Sequence, residues 1–475
     1  MFKIKPVFGK PWKSAVAITL VAIGAVALTA TPALCAQGAP TDSTAAPRTA
    51  RALLDAYVTE ALSANLALAQ QQQAFRRAEA GLREANGRFL PSVGLNARYS
   101  EFSGVVNIGD FINPAYAALN QLIGQQRFPT DVAATLPFRQ ETKLELTLPL
   151  FNDALFGARA AARAQRDLVG SGRRAAMRQL AADVQNAWLS YATAVSAVET
   201  LESMLPVLDE NVRVSERLIA NGQATPDVLL RARADLSEMI QQIEDLRRQR
   251  DRARRGFNLL RNAPDEAAIA LASDSSLLDL PPFERETLVA QASVRREELT
   301  QTGLLITVAR AQERMANAAF LPNVTLAASY GVQGDRYRFD RNNDVGLASL
   351  VLGWNVFNGQ QDAARREQAR ASRTEADYRR RETERAVRVD VQNAWDGVTA
   401  ARTNLSTAAD RLAAAERAFT LVQRRFAEGL ATQIEFLSAR AAYTNAALNQ
   451  VITHYTVAMR VVELERAAAM RALPD

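Results

Sequence analysis

The hydrophobic pattern of the chain changes period twice, in the same order each time. From Arg51 to about Arg88, Leu53, Leu54, Tyr57, Ala61, Leu62 and Leu66 recur at helical spacing. Phe89-Leu90-Pro91 closes that run, because proline disfavours helix at the residue before it. Alternation follows. Val93, Leu95, Ala97 and Tyr99 are apolar between Ser92, Gly94, Asn96 and Arg98, and Leu144, Leu146 and Leu148 stand between Lys143, Glu145 and Thr147. Period 2 predicts strands with one greasy and one wet face. The stretch between them, roughly Ser100 to Gln140, carries Gly104, Gly109, Pro114, Gly124 and Pro129 and is predicted to be a long loop. From about Gly157 the period lengthens, and Met177, Leu180, Val184, Ala187, Tyr191, Ala194, Val198, Leu201 and Leu205 recur at steps of 3 and 4. That is a heptad seam on a long helix, and Pro206 predicts a kink in it. The helix stops at Gly222, and Thr225-Pro226 restarts it, so the segment is a helical hairpin.

The second half repeats this succession. Asp183-Val184-Gln185-Asn186-Ala187-Trp188 recurs letter for letter as Asp390-Val391-Gln392-Asn393-Ala394-Trp395, an offset of 207 residues from 183 to 390. Asn221-Gly222-Gln223-Ala224-Thr225 lies over Glu428-Gly429-Leu430-Ala431-Thr432 at the same offset. Phe89-Leu90-Pro91 lies over Phe320-Leu321-Pro322 at an offset of 231, and Phe151-Asn152 over Phe357-Asn358 at 206. The first copy therefore holds 25 extra residues between its two strands. In the second copy Val324, Leu326, Ala328 and Tyr330 alternate, then Leu350, Leu352 and Trp354, with a shorter Asp-, Asn- and Arg-rich loop from Gly331 to Val345. The second seam runs Val387, Val391, Ala394, Val398, Ala401, Leu405, Ala408, Leu412, Ala415, Phe419, Val422 and Phe426, with no proline between Gln360 and Arg471. Many seam positions are alanine, small enough for helices to approach closely and leave room for a further neighbour. The organisation is one of repeats: 51–262 and 285–470, joined by a proline-bearing linker, 263–284, and followed by a short free tail, 471–475.

Residues 1–36 read as a secretory signal. A lysine-bearing start precedes an apolar run from Ala15 to Ala30, too short at about 16 residues for a spanning helix, and small residues continue to Ala36. Cys35, the single cysteine, leaves two outcomes open, ordinary cleavage or a lipid-modified N-terminus. Residues 37–50 are a flexible lead-in. The net charge of +6 includes Lys3, Lys5, Lys10 and Lys13 of the leader, so the remainder carries +2. No basic cluster with interleaved aromatics remains for nucleic acid. With one cysteine and one histidine, His454, a soft-metal cluster or a Cys/His catalytic centre is excluded, and no cofactor is expected.

Strands of about ten residues with one greasy face suit an outer-membrane bilayer. Four strands cannot close a barrel, and open edges in lipid leave backbone groups unpaired, so several chains must pool strands; three chains give twelve. Both long helices follow the second strand of their pair, so pooled helices would continue the cylinder on one side. The competing class is a periplasmic adaptor-like coiled-coil scaffold of an envelope export complex. Alternating strands followed by helices, twice over, favour the channel, and no nucleophile–base pairing suggests an enzyme.

The paired Phe-Leu-Pro strand starts, the paired Phe-Asn strand ends and the bend Arg424-Arg425-Phe426-Ala427-Glu428-Gly429 running on to Ala439-Arg440, echoed by Arg217 to Gly222 and Ala232-Arg233, resemble the TolC family of outer-membrane efflux proteins over about residues 51–470. The resemblance implies a fold that is mainly α with a membrane β-barrel part: a homotrimer whose 12-stranded barrel is continued by an α-helical periplasmic tunnel. It implies a passive exit duct of a tripartite efflux pump or a type I secretion system. The partners would be a periplasmic adaptor protein and, through it, an inner-membrane pump. Docking would fall on the hairpin tips, at Gly222, Ala224, Thr225, Gly429, Ala431 and Thr432. An acidic constriction would fall on Glu435, six residues after the second bend glycine. In the first copy that place is Val228, with Asp227 one residue earlier. The basic gate partner expected two residues after the second glycine is replaced by Ala431.

Overall fold

The computed structural model describes residues 49–101, 107–132, 138–272, 284–334 and 343–474. The leader, most of the lead-in and the second half of the linker, 273–283, lie outside the described residues. The elements in chain order are α1 (Ala50–Ala64), α2 (Leu66–Gly87), β1 (Ser92–Tyr99), α3 (Gly109–Ile123), β2 (Gln140–Phe151), α4 (Asp153–Glu202), α5 (Leu205–Ala220), α6 (Pro226–Leu260), α7 (Arg285–Arg295), α8 (Glu297–Ala318), β3 (Asn323–Gly334), β4 (Asp344–Gly353), α9 (Gln361–Ala427) and α10 (Gln433–Ala467). Each repeat is thus helices, two strands and a long helical hairpin, as the hydrophobic periods predict.

The opening helix of each repeat is broken once, which periodicity alone did not reveal. The break falls at Asn65 and again at Arg296, both extended, and separated by the same 231 residues as the two Phe-Leu-Pro blocks. Asn65 breaks the run by capping α2, accepting from the Ala67 and Leu68 amides. Arg296 is buried and spends its guanidinium on Asp390, Glu298 and the Ala467 carbonyl.

The strands form one antiparallel meander in the order β1-β2-β3-β4. Leu95 faces Leu144, Leu144 faces Tyr330, and Leu326 faces both Leu148 and Leu350, so the predicted greasy positions fall in one register across all four strands. The helices before β1 and β3 and after β2 and β4 all join the same end of this sheet. Between β1 and β2 the expected loop contains helix α3. Glycine and proline there suggested only turns; Gly109 instead opens the helix, and Pro114 lies inside it, past the first turn, at the cost of one helical hydrogen bond.

The seams behave as predicted. All twelve second-copy positions from Val387 to Phe426 are buried or half-buried on α9, an unbroken helix of 67 residues, or about 100 Å at 1.5 Å per residue. In the first copy the helix breaks outright at Ser203–Met204, and Pro206 sits in the opening turn of α5, where its missing N–H is not needed. α4 is buried on more than its seam, because α1, α2, α6, α8 and α10 all pack on it. The tail also differs from expectation. Arg471 bonds Asp55 and offers its carbonyl to Arg178, and Leu473 packs against the core.

The repeated hexapeptide ends in two environments. Trp188 is fully buried, and its indole N–H donates to the Ala270 carbonyl at 3.0 Å, where the linker crosses the core. Trp395 is half-buried on the second core cluster. Truncating a fully buried Trp costs about 3–5 kcal/mol. Trp188→Ala is therefore expected to lower the unfolding midpoint of the detergent-solubilised protein clearly more than Trp395→Ala. Equal losses in a denaturant titration would show that the linker contact is not what distinguishes the two copies.

Candidate functional site

Two regions hold the candidate residues: the bare face of the sheet and the two hairpin tips at the far ends of the helices. On the sheet, Val93, Leu95, Tyr99, Leu144, Tyr330, Leu350 and Leu352 share one face and are all exposed, 52–69% of each. Such a contiguous apolar face needs a cover. On β1 and β2 the opposite face is polar and internally paired: Asn96 donates to Glu145 at 2.6 Å, Arg98 to Glu141 at 2.9 Å, and Lys143 pairs with Glu141; on β4 that face carries the exposed Leu347 and Val351. At the helix end of the sheet aromatic rings gather. Phe89 meets Phe156 edge-on at 5.1 Å, and the Trp354 indole donates to the Phe320 carbonyl. Arg314 lies over Phe156 and Arg366 over Phe320. Aromatic rings with arginines just beyond them are the side chains that settle at a membrane–water boundary. No described helix is long and apolar enough to cross a membrane.

At both tips the chain turns by the same device. Gly222 and Gly429 adopt positive φ, +69° and +76°, a conformation that side-chain-bearing residues resist. The amides of Gly222 and Gln223 bond back to Ile219 and Leu218, and those of Gly429 and Leu430 to Phe426 and Arg425, closing each helix with a Schellman turn. Thr225 and Thr432 then stand in extended conformation as N-caps. Only the second is a full capping box: Thr432 Oγ1 accepts from the Glu435 amide at 3.2 Å, and Glu435 Oε2 accepts from the Thr432 amide at 2.7 Å. These contacts with Thr432, and then the Arg425 charge, hold the Glu435 carboxyl below the usual carboxylate range. The contribution of the box is thus complete above the ordinary carboxylate range and is lost as pH falls through the lowered value. In the first tip Pro226 opens the helix and the Thr225 hydroxyl bonds Asp227, which also pairs with Arg231 at 3.5 Å.

Gly222, Thr225, Asp227, Gly429, Thr432 and Glu435 are exposed, and Ala224 and Ala431 half-buried. Asp227 and Glu435 each bond within their own tip. What joins the tips is a pair of residues that sequence reasoning missed. Gln433 Nε2 donates to the Val228 carbonyl at 2.6 Å, and Arg440, 7% exposed, pairs with Asp235. Burial pushes the Asp235 carboxyl up against the pull of Arg440. The available signal was Arg440 itself, at helical spacing from Phe436 on a buried face, a position a cation occupies only with a partner. The tips also differ in packing. Phe419 stacks on Tyr443 and packs near Phe436, which stacks on Phe426 at 4.9 Å. At an offset of 207 the first copy has Val212, Leu236, Leu229 and Ile219 in their places.

Residues 288–469 match the family model described as outer membrane efflux protein. No curated protein matches the chain in sequence. Among solved structures it is similar to CusC (TM-score 0.74, 16% identity, 88% of this chain and 92% of that one). It is similar to the outer membrane protein VceC of Vibrio cholerae (0.72, 19%, 88% and 98%). It is also similar to the CmeC outer membrane channel of Campylobacter jejuni (0.71, 16%, 87% and 85%). At these identities the structural likeness speaks for the fold. The match over residues 288–469 and the shared fold together bear out the resemblance drawn from the repeats: residues 288–469 carry an outer membrane efflux protein domain, in a chain with the fold of outer membrane channels.

Proposed function

We propose that three copies of this chain form one continuous duct, a 12-stranded barrel across the outer membrane with a helical tunnel in the periplasm. Through it an inner-membrane pump or a type I secretion system would release its cargo passively. The observation that carries this reading is the four-stranded sheet, bare and apolar on one face, with paired polar side chains of β1 and β2 on the other, both edges unpaired and every helix but α3 at one end. In lipid, unpaired edge amides cost several kcal/mol each, and pairing β1 of one copy with β4 of the next removes the cost. The apolar face then meets lipid and the polar face lines a water-filled bore. The two repeats, 51–262 and 285–470, each supply two strands and one hairpin to the wall.

The tips are the periplasmic end, and we assign them adaptor docking and closure. Gly222, Ala224, Thr225, Gly429, Ala431 and Thr432 present small side chains beside the exposed Leu230, Leu430 and Ile434, a surface another helical hairpin can approach closely. Glu435 uses Oε2 in its capping box, so its charge stays fixed at the start of α10, where three copies would gather acidic groups around the axis. In the first copy Asp227, one residue before the equivalent Val228, is the nearest carboxylate.

The purified protein is expected to run as a trimer in mild detergent and to open ion-conducting pores in planar bilayers. A monomer, or silence in the bilayer, overturns the reading. Glu435→Gln retains a capping side chain but loses the charge, so it should lower cation preference without loosening the tip. Glu435→Ala should in addition raise single-channel conductance, since it removes one half of the reciprocal capping box and loosens the tip. Unchanged selectivity and conductance in both variants would remove Glu435 from the constriction. Ala431→Arg and Ala224→Arg should impair drug export by intact cells while trimers persist; undiminished export would show that the adaptor docks elsewhere.

A further inference from the structure

The 25 extra residues of the first repeat are not spare loop. They hold α3, which departs from β1 and returns to β2 at adjacent points, since the Ser100 amide still bonds the Arg139 carbonyl at 2.7 Å. This is the end of the sheet opposite all the other helices. One side of α3 is clamped to the segment that follows it. Asn113 donates to the Val132 carbonyl and accepts from its amide, both at 2.9 Å. Asn120, two helical turns on, donates to the Phe128 carbonyl at 2.7 Å and accepts from the Arg127 and Phe128 amides. Tyr116, between them, packs its ring near that of Phe128 at 5.3 Å. The strap lies so close that a Cβ at Gly109 would overlap the Val132 carbonyl. The helix and its strap are one rigid unit.

Half a turn around the helix, at 3.6 residues per turn, lies a different face. Phe111, Ala115, Ala118 and Leu122 recur at steps of four, three and four, with Leu119 beside them. Phe111 is 75% exposed and Leu122 83%. That spacing is a heptad seam, with alanines that permit close approach of another helix. Helices that lie on lipid surfaces carry Lys or Arg on their polar side; Gly109–Ile123 has none, and its one charge is Asp110. The excursion that carries α3 leaves the sheet from β1, the edge strand that another copy would pair in the proposed trimer.

We propose that the cover for this face is the same face of sister copies: three α3 helices pack through Phe111, Ala115, Ala118 and Leu122 and cap the outer mouth of the pore. This rests on the trimeric channel reading. An apolar constriction opposes ion passage by dewetting, so the cap is a second closure, at the opposite end from the hairpin tips.

The test uses the full-length protein in planar bilayers together with photo-crosslinking in cells. Phe111→Asp combined with Leu122→Asp is expected to raise single-channel conductance severalfold over the wild type. A benzoylphenylalanine introduced at Phe111 is expected to give, on illumination, an adduct of twice the protomer mass. The adduct keeps the proposal testable should the double variant fail to assemble. If the wild type conducts while the double variant's conductance is unchanged, or if the adduct forms with lipid or not at all, the cap is overturned and the channel stands. If the wild type itself opens no pore, the channel reading falls and the cap falls with it.

Discussion

The structure depends on backbone hydrogen bonds that a single copy cannot make. A strand presents an N–H and a C=O to each side, and β1 and β4 have a neighbour on one side only. In water such an edge is a risk of aggregation. In hydrocarbon it is untenable, because no water replaces the missing partner. The apolar face of this sheet, carrying Leu95, Leu144, Leu350 and Leu352 well exposed, is suited to hydrocarbon and to little else. The two facts together demand closure, and the proposed trimer follows from that demand more than from any single side chain. Closure also fixes the helices. In the proposed trimer α4 and α9 would leave one end of a ring of strands, and so would stand as a ring themselves.

Much of this was legible in the chain because the two periods are physical. Period 2 places Leu144 and Leu350 on one face whatever surrounds them, and the 3–4 step places Val391, Ala394 and Val398 on one stripe of α9. Glycine at 222 and 429 was readable because positive φ is a backbone requirement. Helix α3 was not readable on those terms. Its Gly109 and Pro114 carry the composition of a turn, and its fold depends on Asn113 and Asn120 reaching a strap more than seven residues away. The break at Arg296 was equally hidden. It is set by a guanidinium that finds Asp390 and the Ala467 carbonyl, partners from distant parts of the chain. Side-chain contacts between remote segments have no period to betray them.

The duplicated letters teach a related lesson. Asp183 and Asp390 open the same hexapeptide, yet Asp183 accepts from Gln179 on its own helix, while Asp390 takes Arg296 at 2.8 Å and lies 3.5 Å from Arg466. The hexapeptide encodes a helix face and leaves the partner to the rest of the fold. The candidate residues at the tips follow the same rule. The position of Glu435, six residues after Gly429, was implied by the family resemblance, but its engagement with Thr432 depends on a capping geometry that the first copy, with Pro226 and Asp227, does not reproduce.

The two tips are therefore unlike in ways that bear on closure. The second hairpin is held by four stacked or packed rings and by a reciprocal cap, the first by aliphatic side chains and a proline-led start. Rings bury more apolar area per residue and pack with preferred geometry, so the second tip should behave as a rigid body. Its link to the first is Gln433 on a carbonyl and the half-buried pair of Arg440 with Asp235, where Asp235 Oδ2 and Arg440 Nε lack hydrogen-bond partners. A buried pair left partly unsatisfied contributes little to stability, though losing one partner alone is costly. Farther from the tips Leu448 packs on the first hairpin and Ala458 and Val462 join the core beside α4, so the weak polar contact leaves the two hairpins loosely joined only at their tips. In the proposed duct, opening at the periplasmic end would then take place at the seam between the two tips.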